Sequence, residues 1–156
     1  MTLLEVFLSG VVATVALDLW QRLLKLTFGL PPTSWALVGR WTRQALAGRP
    51  FPGAVASLPA QPGELRLGWI VHYVVGVGYG VVYVLGLRAL GFDPDSWVTG
   101  LVFGLASVAV PWFFFMPAMG AGLMARNTPK PALACTLALA GHTVFGLGLA
   151  IGSRMV

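Results

Sequence analysis

The sequence predicts an all-α integral membrane protein: a four-helix bundle of two tandem helical hairpins, with a short interfacial helix in the first cytoplasmic loop. Three observations carry this. Of 156 residues, 57% are apolar and only 10% charged, with a mean hydropathy of +0.82, whereas water-soluble domains carry roughly 25% charge. The apolar residues gather in four runs, near 3–26, 68–90, 97–124 and 131–153, each long enough for a hydrocarbon core that takes about 20 residues to cross. A histidine followed by glycines at the fourth and sixth positions occurs in the second run, His72 with Gly76 and Gly78, and again in the fourth, His142 with Gly146 and Gly148. These are the only two histidines. The whole chain, 1–156, reads as a single transmembrane domain.

Charge placement orients the spans. Arg22, Lys25, Arg40, Arg43, Arg49, Arg66, Arg126 and Lys130 lie in or beside the first and third connections, and only Arg88 and Arg154 lie on the other side. The positive-inside rule then puts both basic connections in the cytoplasm and both termini outside it. The same placement argues against nucleic acid as a partner of this chain of net charge +5, because no basic patch is interleaved with aromatics. The N-terminus has no basic leader and its apolar run is long, so it reads as a retained span rather than a signal peptide. A single cysteine, Cys135, excludes an internal disulfide and a CxxC pair.

The first run holds Asp18, with Thr14 one turn before and Arg22 one turn after on the same face. A carboxylate in a spanning helix costs a few kcal/mol on insertion scales. It is either paired with Arg22 near the inner interface or a cation or proton site. Ser9, Gly10, Ala13 and Thr14 form a small-residue strip suited to close helix packing. The long connection opens with Pro31-Pro32, which cannot continue a helix. Ser34 then fits an N-cap for a short helix near 34–47. That helix places Trp35 and Trp41 opposite Arg40 and Arg43, as bilayer-interface helices do. From Arg49 to Gly63, proline and glycine predict irregular chain.

In the second run His72, Gly76 and Gly80 share one helix face, continued by Tyr79 and Tyr83, whose hydroxyls need partners. His72 and Asp18 fall in the same half of the membrane. The third run carries Gly100 and Gly104 at close-packing spacing, then Pro111 with Ser107 four residues earlier, and Pro117. Two prolines predict a helix broken near its cytoplasmic end, a device that often lines cavities. The fourth run starts well at Pro131, and its stripe is His142, Gly146 and Ala150. Since the first and third runs both open on glycine, Gly10-Val11-Val12-Ala13 and Gly100-Leu101-Val102-Phe103, the chain reads as two hairpins related by an axis along the membrane normal.

Three functions fit these residues. Asp18, His72, Tyr79 and His142 are candidates to bind or move a small solute, ion or lipid. His72 and His142 could ligate haem axially, or copper(I) with the soft donors Cys135, Met116 and Met119, although CxxCH is missing and Cys135 stands roughly 10 Å from His142 along one helix. Glycine-faced helices, with Gly76, Gly80, Gly146 and Pro111 shaping the contacts, also suit a homo-oligomer or a subunit of a larger membrane complex. An enzyme has least support: the sequence shows no zinc signature, phosphate loop, paired carboxylates or nucleophile–base pair.

Gly39-Arg40-Trp41, Gly63-Glu64, Gly68-Trp69, His72-Tyr73, Pro111 with Pro117-Ala118-Met119-Gly120, Thr128-Pro129, and His142-x-x-Phe145-Gly146-x-Gly148-Leu149 together resemble a bacterial family of small membrane proteins of unknown function. The resemblance covers almost the whole chain and implies a four-helix protein of the bacterial inner membrane. It assigns no catalytic or ligand-binding residue. Met116 stands where the family pattern has a glutamine.

Overall fold

The computed structural model describes residues 2–155. Among them are helices α1 (Leu3–Phe28), α2 (Trp35–Leu46), α3 (Glu64–Ala89), α4 (Trp97–Ala118) and α5 (Pro131–Ser153), and no strand. All but α2 are long and apolar enough to cross a membrane. Local chemistry sets their ends. Thr2 accepts from the Glu5 N–H at 3.1 Å and so caps α1, which stops at Gly29 in the left-handed region (φ 67°), where glycine carries no Cβ penalty. Ser34 stands at the N-cap of α2, but its side chain makes no capping bond.

Two boundaries depart from the apolar runs. Helix α3 begins at Glu64 rather than Gly68, because the Glu64 carboxylate accepts from the Gln61 N–H at 3.1 Å and from Arg40. Helix α4 is interrupted near its prolines but not ended by them: its regular α-helical part stops at Ser107, and the span runs on to Ala118. Residues Pro111–Phe115 form a π-helical turn in right-handed helical backbone, and the Met116 N–H reaches the Pro111 carbonyl. The wider turn absorbs Pro111, and the helix runs on to Ala118 before a 3-10 turn at Leu123–Ala125. Ser107 does not serve the proline as the spacing suggests. Its hydroxyl lies 2.8 Å from both the Gly104 carbonyl and His142 Nδ1.

The chain divides into two compact units. The first comprises α1 and the turn to Thr33, α3 from Tyr73, α4 to Ser107, and α5 from Ala140. It is a four-helix bundle closed by backbone contacts. A Cβ on Gly10 of α1 would stand 2.6 Å from the Gly76 oxygen of α3, and one on Gly80 would stand 2.5 Å from the Val6 oxygen. On the opposite side, a Cβ on Gly100 of α4 would stand 2.7 Å from the Gly146 oxygen of α5. Gly148 and Gly152 of α5 meet Ala13 and Ser9 of α1 in the same way, and the Ser9 hydroxyl donates to the Leu149 carbonyl at 2.9 Å. Phe103 of α4 meets the rings of Tyr79 and Tyr83 of α3, centroids 6.3 and 5.1 Å away. Ala13, Tyr83, Val84, Leu149 and Ala150 are wholly buried at the centre.

The tandem hairpins are therefore real in register as well as in sequence. Gly10 meets Gly76 as Gly100 meets Gly146. Tyr83 and Ser153, each eleven residues beyond the histidine of its own helix, both donate to one acceptor, the Pro94 carbonyl, at 2.6 and 3.0 Å. At the same end Arg88 grips Glu5 through two hydrogen bonds of 3.0 and 2.5 Å, and Arg154 lies 4.2 Å over the Trp97 ring.

The second unit comprises Ser34–His72 and Val108–Leu139. Helix α2 crosses the start of α3 at Gly39 and Gly68: a Cβ on Gly39 would stand 2.7 Å from the Glu64 carbonyl carbon, and one on Gly68 2.6 Å from that of Trp35. The loop after α2 is tied to the end of α4, where the Val55 N–H donates to the Met119 carbonyl at 3.2 Å and Val55 itself is fully buried.

Candidate functional site

In the bundle unit, the Tyr73 hydroxyl of α3 donates to Asp18 Oδ2 of α1 at 3.1 Å. One turn before Asp18, the Thr14 hydroxyl is turned back to the Gly10 carbonyl at 2.7 Å and rests where Gly76 has no side chain. The glycine contact thus brings α1 and α3 together at the level just before Asp18, and a carboxylate and a phenol meet across it. The phenol is the donor and the carboxylate oxygen the acceptor. Two residues further along α1, Trp20 Nε1 is buried with no hydrogen-bond partner among the described residues.

A second polar group occupies the other hairpin. His142 Nδ1 lies 2.8 Å from Ser107 Oγ. The serine has one proton, and it also points at the Gly104 carbonyl at 2.8 Å. With that proton on Gly104, Nδ1–H donates to the serine and Nε2 keeps its lone pair. The ring is walled by Tyr79 and Phe145, centroids 6.4 and 6.1 Å away. His142 and Tyr79 are therefore neighbours. The missed member of this group is Ser107, whose only signal in the sequence was its place one turn before a proline. The serine hydroxyl is held along its own helix, so the pair is a structural hydrogen bond and not a nucleophile–base contact.

In the second unit His72 stacks on Trp35 with centroids 3.7 Å apart and planes 22° from parallel, and Trp69 stands edge-on at 5.7 Å. Trp41 Nε1 donates to the Pro50 carbonyl at 2.9 Å, and its ring packs on Phe115 at 5.0 Å. Arg43 reaches the Pro62 carbonyl at 2.8 Å. Arg40 is turned inward: its guanidinium forms a two-pronged bond to Glu64 at 2.7 and 2.9 Å and a third to the Leu58 carbonyl at 2.7 Å, with both side chains only 11% exposed. The hydrogen bond to Glu64, more than the charge itself, holds the Arg40 pKa above its ordinary value. Both faces of α2 are thus engaged in protein contacts. Glu64 and Glu5 carry ion pairs that the sequence reading passed over. The available signal was geometric, since antiparallel neighbours put Glu5 at the start of α1 level with Arg88 at the end of α3.

The soft donors are dispersed in role. Cys135 Sγ donates to the Met124 carbonyl at 3.2 Å, the Met119 carbonyl holds Val55, and Met116 follows the π-turn, in which Trp112 Nε1 is buried without a partner among the described residues. No three His, Cys, Asp or Glu side chains among the described residues are grouped as a metal ion would need.

Four apolar spanning helices, locked by glycine-to-backbone contacts, make this a multi-pass α-helical membrane protein. The chain belongs to the family described as protein of unknown function (DUF2938), which matches residues 7–156. No curated protein matches it, and no solved structure does.

Proposed function

We propose that the protein is a non-enzymatic bundle of the bacterial inner membrane that binds or moves a small cation or proton, with Asp18 as the coupling group. The observation that carries this is the bond between Asp18 and Tyr73 inside two spanning helices. An ionisable group at membrane depth is expensive and is retained for function by default. One of its partners, the Tyr73 phenol on the facing helix, is a neutral donor, so a proton or cation arriving at the carboxylate competes with that hydrogen bond and changes how α1 and α3 are joined. His142, Tyr79 and Ser107 form a further polar cluster in the same bundle. The bias of eight basic residues to two supports one fixed orientation, with the connections after α1 and α4 in the cytoplasm.

Proteoliposomes holding a trapped pH-sensitive dye test the reading with H+, Na+ and K+ gradients as probes. Wild type should conduct or exchange at least one of these ions. Asp18→Asn should lower that flux at least tenfold, and Tyr73→Phe should shift its pH dependence. Equal flux through wild type and Asp18→Asn, or none through either, would remove Asp18 as a coupling site.

A further inference from the structure

We propose that the second unit carries a recognition surface for anionic phospholipid, built around Arg43, Arg49 and Phe51. Charge is divided unequally between the units. The bundle unit balances Arg22, Lys25, Arg88 and Arg154 against Glu5, Asp18, Asp93 and Asp95. The second unit sets six basic side chains against Glu64 alone, and so holds the entire +5 of the chain. Arg40 is already bound to Glu64. The remaining cations are exposed, Arg49 among them and Arg43 with one N–H of its guanidinium given to the Pro62 carbonyl.

Arg49 is held in place by its backbone, not by its side chain. Its N–H folds back on the Gln44 carbonyl at 2.9 Å, against the last turn of α2 that carries Arg43. The next carbonyl, of Pro50, fixes Trp41. Phe51 then packs edge-on to Phe114 at 5.8 Å, yet is 60% exposed, and Leu46 at the end of α2 is 81% exposed. Exposed arginines close along the chain to uncovered aromatic and aliphatic side chains match the boundary between headgroup and acyl chain. The fork of N–H donors takes the phosphate, and the apolar side chains take the first methylenes. A soluble anion would use the arginines and leave Phe51 and Leu46 facing water; an anionic lipid covers both. This surface is independent of Asp18 and of any transport through the bundle.

The test uses the full chain in a neutral detergent, with phosphatidylglycerol, phosphatidylcholine or inorganic phosphate added, read by thermal unfolding and by lipid retention in native mass spectrometry. Phosphatidylglycerol should be retained and raise the unfolding temperature, and the other two should not. Arg49→Gln, whose side chain is exposed and leaves the fold intact, should weaken retention about fivefold, the effect of one arginine at an anionic surface. Arg43→Gln should do the same, and Arg49→Lys should keep most of the binding. Equal retention of phosphatidylcholine, an equal shift with phosphate alone, or unchanged retention by Arg49→Gln would each overturn the proposal.

Discussion

Gly10→Ala is expected to destabilise the purified protein by about 3 kcal/mol, the upper range for overpacking a close contact, read as a lower unfolding temperature in detergent. The new methyl would stand 2.6 Å from the Gly76 oxygen and the Val77 Cα, and 3.0 Å from the Gly76 carbonyl carbon. All three are backbone atoms, so no rotamer change relieves the clash and α1 must move off α3. Moving it also pulls Thr14 from Gly76 and Asp18 from Tyr73. Gly100→Ala probes the matched position of the second hairpin, where the obstacles are the Gly146 oxygen at 2.7 Å and the Ala150 Cβ at 2.8 Å. Gly78→Ala is the control. Nothing lies within 4 Å of its added methyl, and alanine is the better helix former, so stability should hold or rise slightly. Wild-type stability in Gly10→Ala would mean that the two helices are not in backbone contact.

Arg88→Met is expected to cost about 2 kcal/mol by the same assay. It leaves the buried Glu5 carboxylate without the two N–H donors that now hold it. Removing one member of a buried pair is typically worth 3–5 kcal/mol, and the partial exposure of the Arg88 side chain, 37% against 6% for Glu5, admits water and places the effect lower. The double variant Glu5→Gln, Arg88→Met should recover much of the loss, since no stranded charge remains. A double variant no more stable than Arg88→Met alone would show that the arginine acts by packing its aliphatic stem, not by its charge.

Why some of this was legible in the sequence and some was not has a physical basis. Hydrocarbon excludes charge over about 20 residues, so α1, α3, α4 and α5 could be read from composition, and the short amphipathic α2 from its Trp and Arg spacing. Glycines at helical intervals mark a face that another backbone can approach, but the spacing names no partner. That Gly10 faces Gly76 while Gly148 faces Ala13 is decided by packing among all four helices. The third span shows the limit most clearly. Two prolines argued for a break, yet one wider turn at Pro111–Phe115 keeps α4 helical to Ala118. Ion pairs were the least legible part. Arg40 could be read only as part of one face of an interfacial helix, because helix periodicity reports which residues share a face, not that Glu64, 24 residues on, lies within 2.7 Å. The Asp18–Tyr73 contact likewise joins residues 55 positions apart, a distance over which no local pattern carries information.

The doubly engaged oxygen of Pro94 has a mechanical consequence. Tyr83 from one hairpin and Ser153 from the other hold the same atom, so a single oxygen in the turn between α3 and α4 carries the register of both. A substitution that removes either hydroxyl leaves that oxygen to the other helix alone, and the two hairpins then share one fewer fixed point at this end of the bundle.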